Sequence, residues 1–392
     1  MPQRPESQRT PSDRYAQSHD CKTILLSEST SWSSQQMQLS MNGLRQIKRA
    51  LLATNGLGLA PVIARSNWRR QRLLILCYHG IAMGEEHGSH PEMFLPPAIF
   101  ARRMEILAQS GCRVLDLGEA LRLLRKGQLP AGSVAITFDD GWADFPLHAF
   151  PILQKHGFPA TVYLTTYYCL LSRPLFRFAL AHMMWKLQSK VIENRSFPWL
   201  PEQLDLRTEA ERTSFLWKID NYAKQQELSG KQKDDLAAAF AETIGFDYSA
   251  FCRERLFQLM NPQEVAAMAR AGVDFQLHTH RHRTPLDRLR FIGEVEQNRD
   301  LIAEMAGSGN RVHFCYPSGA VRDDFILWLK EAGVQSATTC VHGLATRDED
   351  PFRLPRLLDQ YGLGEEEFDA WLTGFAALLP RRRTVALDVA PE

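Results

Sequence analysis

Residues 134–141 have the sequence Val-Ala-Ile-Thr-Phe-Asp-Asp-Gly, in which an alternating apolar run ends abruptly in two carboxylates and a glycine. The alternation predicts a β-strand, so Asp139 and Asp140 lie at its C-terminal end. In α/β folds the C-terminal ends of parallel strands are where ligands bind. A helix-capping aspartate followed by a turn aspartate would give the same pattern. This run alone therefore leaves a structural and a functional interpretation open.

The sequence on both sides of this run alternates short β-rich segments with helical ones, which is typical of βα units and a parallel sheet. Strands are predicted at residues 73–78, 134–138, 160–164, 273–277, 311–316 and 335–339. Helices are predicted at residues 97–109, 117–125, 146–155, 262–270, 286–305 and 324–332. The alternation stops at about residues 165–259, where aromatic residues and charged helical runs predict a helical insertion.

The composition limits the partners and the compartment of the 392-residue chain. With 46 Lys+Arg against 45 Asp+Glu, the formal net charge of +1 provides no global basic field for nucleic acid. The 7 cysteines are scattered and form no CxxC pair, which argues against a disulfide framework and a thiolate zinc site. The sequence has neither a long apolar run nor the order of a signal peptide. We expect a cytoplasmic protein, either soluble or peripheral to the inner membrane surface.

Two N-terminal segments are predicted to precede the folded domain. Residues 1–41 are rich in Ser, Gln and Thr and predict a disordered tail. Residues 42–72 contain seven Lys and Arg residues, no acidic residue and an apolar centre. This basic amphipathic segment either binds an anionic membrane surface as a peripheral anchor or packs its apolar side on the domain with its arginines in solvent. Residues 380–392 are expected to form a C-terminal tail.

Three histidines follow the predicted strand at residues 273–277. If the segment is a turn, His278 and His282 face the same way, and if it stays extended, His280 shares their face. Together with a strand-end aspartate, such a set gives the three-ligand site with an open position that catalytic zinc requires. An exposed histidine-rich turn is the alternative interpretation.

Two other predicted strands also end in polar residues. Residues 311–316 run into Pro317, Ser318 and Gly319, a turn in which backbone amides can point at a ligand oxygen. The first predicted strand ends in His79, which taken alone is more often structural than catalytic. In a barrel all of these strand ends meet at one rim, so their shared position indicates a common site.

With these residues the chain resembles the polysaccharide deacetylases, the carbohydrate esterase family with a NodB-like homology domain. The family's Thr-Phe-Asp-Asp-Gly motif is intact at residues 137–141, and its His-Ser/Thr-x-x-His motif is intact at residues 278–282. The resemblance implies an α/β fold, a distorted (β/α) barrel over residues 73–379 with the helical insertion. It also implies a metal-dependent hydrolase that removes acetyl groups from N-acetylated amino sugars, as in bacterial cell-surface polysaccharides.

The resemblance also implies roles for individual residues. Asp139 is then the catalytic base, while Asp140, His278 and His282 bind a divalent metal, most simply Zn²⁺, with Co²⁺ or Ni²⁺ as alternatives. Thr279 braces the loop between the histidines. The residues expected around the oxyanion and the saccharide substrate are Tyr316, Pro317 and Ser318.

The sequence departs from the family pattern in two places. Cys315 occupies the position of the arginine that orients the catalytic aspartate, and Arg356 is the candidate to replace it, although a surface arginine fits equally well. The late Leu-x-His motif that supplies the catalytic acid is not found, and His342 matches it weakly. A subgroup that includes poly-N-acetylglucosamine deacetylases uses a histidine after the first strand, in a Tyr-His context. His79 matches that arrangement and is assigned as the acid ahead of His342.

Two other functional classes remain open from the sequence. The His278-x-His280 pair resembles the HxH motif of binuclear amidohydrolase-type enzymes, in which His280 would be a ligand. The missing arginine at Cys315 is compatible with a degenerate barrel that binds glycans without turnover.

Overall fold

Thirteen strands and fifteen α-helices occur within residues 59–379, the part of the chain that the computed structural model describes. The strands are β1 (Arg72–Tyr78), β2 (Gly80–Ile81), β3 (Phe94–Leu95), β4 (Arg113–Val114), β5 (Ser133–Asp140), β6 (Thr161–Leu164), β7 (Val191–Glu193), β8 (Gln203–Asp205), β9 (Asp274–Leu277), β10 (His313–Cys315), β11 (Ser336–His342), β12 (Ala345–Thr346) and β13 (Leu354–Leu358). The helices are α1 (Leu59–Arg65), α2 (Asn67–Arg70), α3 (Glu86–Ser89), α4 (Pro97–Gln109), α5 (Leu117–Lys126), α6 (Phe150–His156), α7 (Thr166–Cys169), α8 (Phe176–Lys186), α9 (Glu209–Gln225), α10 (Gly230–Ile244), α11 (Tyr248–Arg253), α12 (Pro262–Arg270), α13 (Arg288–Ala306), α14 (Asp323–Glu331) and α15 (Glu365–Thr373).

Seven parallel strands close into a barrel, in the order β1, β5, β6, β9, β10, β11 and β13, with β13 pairing again with β1. Their residues are almost all buried, as expected for parallel strands covered on both faces. Two short strands extend the wall: β4 pairs with β5, and β12 runs antiparallel to β1. The (β/α) barrel expected from the sequence is therefore confirmed.

All six strands expected from the sequence occur in the barrel, but the sequence does not predict the seventh, β13. Pro355 lies inside this five-residue strand, and because proline cannot donate to a strand ladder, its presence argues against a strand. The boundaries also differ: β10 spans only His313–Cys315, and β11 continues to His342. Because β13 carries Arg356, this missed strand matters for the site.

One end of the barrel is closed by α5. Leu117, Leu121 and Leu124 on this helix form an apolar cluster with Leu73 and Ile75 of β1. These β1 residues lie near the N-terminal ends of the strands, whereas Asp139 and Asp140 end β5 at the opposite end. The interior is thus filled with side chains, and the polar rim is free to bind ligands.

The region between β6 and α12 consists mainly of α7 to α11. It also contains a small antiparallel pair, β7 with β8, which the sequence does not predict. An isolated bridge between Trp142 and Leu259 joins the end of this region to the loop after β5. The inserted segment therefore contacts the rim next to the candidate carboxylates.

The described part of the basic segment, residues 59–72, packs on the barrel. Helix α1 contacts α15, and Arg69 is buried and donates hydrogen bonds to the carbonyl oxygens of Leu372 and Arg72. Arg69 is thus not one of the solvated arginines expected there, whereas Arg65 and Arg70 are exposed. The predicted tails at residues 1–41 and 380–392, and the rest of the basic segment, lie outside the described residues. No helix among residues 59–379 combines the length and apolarity needed to span a bilayer.

Candidate active site

The loop after β9 brings two histidines against Asp140 at the end of β5. The Nε2 atom of His278 is 3.3 Å from Asp140 Oδ1, and the Nε2 atom of His282 is 3.4 Å from the same oxygen. The indole Nε1–H of Trp142 donates to the other carboxylate oxygen, Oδ2, at 3.1 Å. One oxygen of Asp140 is thus held by the protein, while the other faces the two ring nitrogens.

The ring of His278 is oriented by the backbone of β10. Its Nδ1 lies 2.8 Å from the carbonyl oxygen of Cys315, and because a carbonyl only accepts, Nδ1 carries the proton and Nε2 is left to bind a ligand. A histidine that donates its second ring N–H to a carbonyl is typical of metal sites. This orientation supports the assignment of His278 as a metal ligand.

The donor set of Asp140, His278 and His282 fits a divalent cation. The ligand atoms lie within 4.8 Å of one another, and one carboxylate with two imidazoles is a donor set that suits Zn²⁺. A second grouping by distance alone combines Asp139, His278 and Cys315. Both oxygens of Asp139 are already engaged by Arg356, so the Asp140 set is the one able to hold a metal.

Burial and mutual charge shape the protonation of this half of the site. Burial raises the pKa of Asp140, but hydrogen bonding from His278 and the charge of His282 outweigh it and lower the pKa to about 2. Burial lowers the pKa of His282 to about 4, which leaves its ring neutral at pH 7. Burial also lowers the pKa of His278, but Cys315, Asp140 and Asp139 outweigh burial and raise that pKa well above its usual value. Without a metal ion, the surroundings of His278 therefore favour its protonated, positively charged form.

The backbone around the candidate ligands is strained. Among the described residues, seven non-glycine positions have positive φ, and four of them are Asp140, Thr279, His282 and Ser318. Gly141 has a φ of 90°, and a Cβ there would come within 2.3 Å of the Leu164 side chain. Strained conformations concentrated at one rim are typical of functional sites.

Asp139 has a different environment from Asp140. It forms a bidentate ion pair with Arg356 of β13, whose Nη1 and Nη2 each lie 2.7 Å from one carboxylate oxygen. Burial raises the pKa of Asp139, but the charge and hydrogen bonds of Arg356 outweigh it and hold that pKa well below its usual range. The Nε2 atom of His79, which follows β1, is 3.9 Å from Asp139 Oδ2.

Arg356, the candidate to replace the arginine absent at Cys315, lies next to both Cys315 and Asp139. The guanidinium is 1% exposed, so the surface position that the sequence also allowed is wrong. Its Nη2 lies 3.1 Å from the Cys315 Sγ, which is itself 3.4 Å from Asp139 Oδ2. An arginine reaching inward from β13 thus contacts the aspartate that the expected arginine on β10 would have contacted.

The other sequence candidates are Thr279, in the loop after β9, and the residues of the turn after β10. Thr279 is buried, and its Oγ1 accepts the N–H of Arg283. Tyr316 and Pro317 are buried and Ser318 is exposed at the turn. In that turn the N–H groups of Gly319 and Ala320 donate to Tyr316 and Pro317.

His280 and His342 do not join the candidate metal-ligand set. The Nδ1 of His280 lies 2.9 Å from the Thr166 hydroxyl, and His280 is absent from every three-ligand cluster among the described residues. This contact argues against the binuclear HxH interpretation. The ring of His342 lies 6.4 Å from the ring of Trp371, whereas His79 faces Asp139.

Sequence reasoning missed Trp142 and Asn298. Trp142 directly follows the Asp-Asp-Gly run, so its position next to the carboxylates was a usable signal. Asn298 is on α13, far along the chain from both motifs, and its side-chain Oδ1 accepts the N–H of His278 at 3.0 Å. No local sequence pattern distinguishes this asparagine from a surface residue.

The sequence is similar to the polysaccharide deacetylases, and the fold is similar to that of a solved deacetylase structure. The sequence profile described as "Polysaccharide deacetylase" matches residues 126–184 and 209–337, on either side of the middle of the inserted region. The chain is 34% identical over 94 residues to the putative polysaccharide deacetylase YxkH of Bacillus subtilis (strain 168), a match covering 24% of this chain and 32% of the relative.

A solved structure resembles most of the chain. The Streptococcus pyogenes deacetylase PplD is 18% identical, with a TM-score of 0.51 over 79% of this chain and 99% of that structure. At this identity the likeness bears on the fold alone. It agrees with the barrel described above, and the chain spans only about a third of the length of the curated relative that it matches.

Proposed function

This chain belongs to the polysaccharide deacetylase family, and from that premise we propose that it hydrolyses the amide bond of N-acetylated amino sugars in an oligo- or polysaccharide, releasing acetate. The observation that carries the proposal is the convergence of His278 Nε2, His282 Nε2 and Asp140 Oδ1 next to a second carboxylate. Carboxylates with separate roles are a recurring arrangement for acid–base chemistry.

We assign the metal-binding role to Asp140, His278 and His282. A divalent ion held there, proposed as Zn²⁺, would act as a Lewis acid on the acetyl carbonyl and lower the pKa of bound water toward about 7. Trp142 and the Cys315 carbonyl orient two of these ligands through the hydrogen bonds described above. Their contribution is to hold the ligand atoms in place before the metal binds.

Asp139 is the proposed general base. Its ion pair with Arg356 keeps the carboxylate ionised, which is the form able to accept the proton of the attacking water. The same bidentate contact fixes the direction of both oxygens. Arg356 is thereby the proposed positioning residue that replaces the arginine absent at Cys315.

His79 is the proposed general acid, which gives a proton to the departing amine. Its Nε2 lies 3.9 Å from Asp139, so acid and base face the same space. The Ser318 N–H is the candidate donor to the oxyanion, since the neighbouring amides of Gly319 and Ala320 are already used within the turn. We also propose that Tyr316, Pro317 and Ser318 lie around the oxyanion and the bound saccharide.

An acetate-release screen tests this function. Purified full-length protein with added Zn²⁺ or Co²⁺ is incubated with N-acetylhexosamine oligomers, nucleotide sugars and lipid-linked sugars, and acetate is measured. We expect release from at least one class and none from the His278→Ala variant. Absence of acetate from every class, in protein that binds metal, would favour the glycan-binding barrel instead.

Single alanine substitutions separate the two candidate acids. We expect His79→Ala to lower kcat strongly and His342→Ala to leave it near the wild-type value, because only His79 faces Asp139. A normal kcat for His79→Ala together with a reduced kcat for His342→Ala would reverse the assignment.

A peripheral position at the inner, cytoplasmic membrane surface remains part of the proposal. It is supported by the excess of basic residues in 42–72 and by the exposure of Arg65 and Arg70. Sedimentation of the full chain with anionic and with neutral vesicles tests it. Binding to anionic vesicles that weakens with salt is expected, and equal recovery in the supernatant with both vesicle types contradicts it.

A further inference from the structure

Helix α13 supplies acceptors to three backbone N–H groups of the loop that carries the candidate metal ligands. The N–H of His278 donates to Asn298 Oδ1 at 3.0 Å. The N–H of His280 donates to the carbonyl oxygen of Glu294 at 3.0 Å, and the N–H of Arg281 donates to Glu294 Oε2 at 2.7 Å. Glu294 and Asn298 are one helical turn apart, so a single helix face holds the loop.

The loop requires such support because two of its residues have left-handed backbone conformations. Thr279 has a φ of 61° and His282 a φ of 55°. For a β-branched residue such as Thr279 a positive φ is a genuine outlier, and these conformations persist only when the surrounding structure over-determines them. The hydrogen bonds from the loop to α13 hold the backbone in these conformations.

Asn298 is the centre of this support. Its side chain is fully buried, and its Nδ2 donates to the Leu164 carbonyl oxygen at 2.8 Å and to the Thr166 hydroxyl oxygen at 3.1 Å. One amide thus links the end of β6, the start of α7 and the end of β9. The three contacts also fix which way the amide points, since Oδ1 meets an N–H and Nδ2 meets a carbonyl.

The hydrogen bonds continue from Asn298 to the middle histidine of the motif. The Thr166 hydroxyl oxygen accepts from Asn298 and lies at hydrogen-bond distance, 2.9 Å, from His280 Nδ1. The backbone carbonyl of His280 also accepts the N–H of Tyr167 at 2.7 Å. This arrangement gives His280 a structural task and explains why it turns away from the metal-ligand set.

We propose that Asn298 is a positioning residue for the metal site, with Thr166 and His280 extending its effect. By fixing the backbone at His278, it keeps the two Nε2 atoms directed at Asp140 before any metal binds. The inference rests on the proposed function, since it presumes that a metal occupies this site. It adds a residue that neither motif contains.

The test is the Zn²⁺ affinity of the metal-free, full-length protein, measured by competition with a chromophoric chelator. Asn298→Ala is expected to weaken Zn²⁺ binding by about 10- to 100-fold, the range typical of residues that orient metal ligands. Asn298→Asp keeps an acceptor for His278 but loses the donor to Leu164, so it should also bind Zn²⁺ more weakly than wild type. A wild-type affinity in Asn298→Ala would overturn the proposal.

Ile302→Ala is the matched control, because Ile302 is one turn further along α13, equally buried, and part of the apolar core. It is expected to lower the melting temperature without changing Zn²⁺ affinity. Equal weakening of Zn²⁺ binding in Ile302→Ala and Asn298→Ala would show a general effect of helix destabilisation and contradict a positioning role.

A second pair of variants keeps the proposal falsifiable if Asn298→Ala does not fold. Thr166→Val removes the hydroxyl at nearly constant volume, and Thr166→Ser retains it. We expect several-fold weaker Zn²⁺ binding in Thr166→Val and wild-type binding in Thr166→Ser. Equal Zn²⁺ affinities in the two variants would show that the Thr166 hydroxyl does not help to position the metal ligands. That result would overturn the proposal that Asn298 acts together with Thr166 and His280.

The outcomes separate this inference from the proposed function. Wild-type protein that binds no Zn²⁺ contradicts both. Normal Zn²⁺ binding in Asn298→Ala, in an enzyme that releases acetate, contradicts only the positioning role. Weakened Zn²⁺ binding in Asn298→Ala, in a protein that releases no acetate, supports the positioning role and contradicts the proposed function.

Discussion

Asp139 and Asp140 are consecutive residues at the end of one strand, yet they belong to two differently built halves of the site. Asp139 is enclosed by Arg356, and two thiols, of Cys77 and Cys315, lie near its Oδ2. Asp140 points the other way, toward His278 and His282. Asp140 has a φ of 70°, so its backbone departs from the regular strand conformation, and the alternation of side chains along the strand does not by itself set the direction of its carboxylate.

The difference lies in how each buried negative charge is compensated. The cation that neutralises Asp139 is covalently part of the chain and cannot leave, so this carboxylate stays ionised with a fixed orientation. Asp140 accepts a hydrogen bond from Trp142 and faces His278 and His282, whose rings can lose a proton, and this environment suits an exchangeable cation. A buried carboxylate with a permanent cationic partner stays ionised without an added cation, whereas one without such a partner is suited to binding a metal ion.

The largest expected effect comes from exchanging the two carboxylates for amides one at a time. Asp139→Asn should lower kcat by about 10² to 10⁴-fold, the contribution of a general base, while leaving Zn²⁺ affinity near wild type. Asp140→Asn should instead abolish tight Zn²⁺ binding, because it replaces an anionic ligand with a neutral one. Steady-state kinetics measure kcat, and chelator competition measures Zn²⁺ affinity. Similar Zn²⁺ affinities in both variants would contradict the assignment of Asp140, and not Asp139, as a metal ligand.

Removal of the permanent partner should be the next largest change. Arg356→Gln leaves Asp139 buried without its cation, which typically costs about 3–5 kcal/mol of unfolding free energy. Without Arg356, burial raises the pKa of Asp139, so the acidic limb of the pH–rate profile should move to higher pH, because the ionised base then forms only at higher pH.

Urea denaturation and pH–rate profiles check this prediction. Arg353→Gln is the control, since Arg353 is a partly exposed arginine paired with surface carboxylates and should change stability by less than about 1 kcal/mol. An unfolding free energy for Arg356→Gln equal to that of Arg353→Gln would show that the buried pair contributes little.

The sequence predicted the grouping of Asp140, His278 and His282 better than it predicted the contacts of Asp139. Asp140, His278 and His282 belong to two short motifs whose spacing is visible within a few residues. The contact between Arg356 and Asp139 depends on the closure of the barrel, which brings β13 next to β1. Pro355 obscured that strand, so the sequence named Arg356 as the candidate but could not distinguish it from a surface arginine.

The six other barrel strands were predictable because each is a short apolar run, bounded by turns, with β-rich composition. The hairpin of β7 and β8 was not, since each of its strands has only three residues, which is too short a run to establish an alternation. Asn298 shows the same limit at the site: its role depends on the packing of α13 across β6 and β9. Long-range contacts of single polar side chains leave no periodic signal.

Binding of a metal ion by Asp140, His278 and His282 should depend on pH. The raised pKa of His278 means that Zn²⁺ must displace a proton there, whereas His282, with a pKa of about 4, is already neutral. Zn²⁺ affinity should therefore rise with pH, by about tenfold per pH unit below the pKa of His278, as expected for release of one proton. Calorimetry in buffers of different ionisation enthalpy measures the proton count, and a pH-independent affinity would contradict it.

The smallest expected effect concerns the hydrogen bond that orients Asp140. Trp142→Phe keeps most of the ring packing but removes the donor to Asp140 Oδ2. The loss of one such bond is typically worth about 0.5–1.5 kcal/mol, so Zn²⁺ should bind about 2- to 12-fold more weakly. Phe94→Leu is the control, because Phe94 packs edge-on against Trp142 without a polar contact to the carboxylate. If both variants weaken Zn²⁺ binding equally, packing rather than the indole N–H orients Asp140. The orientation of Asp140 would then depend on apolar contacts, whereas that of Asp139 depends on its ion pair with Arg356.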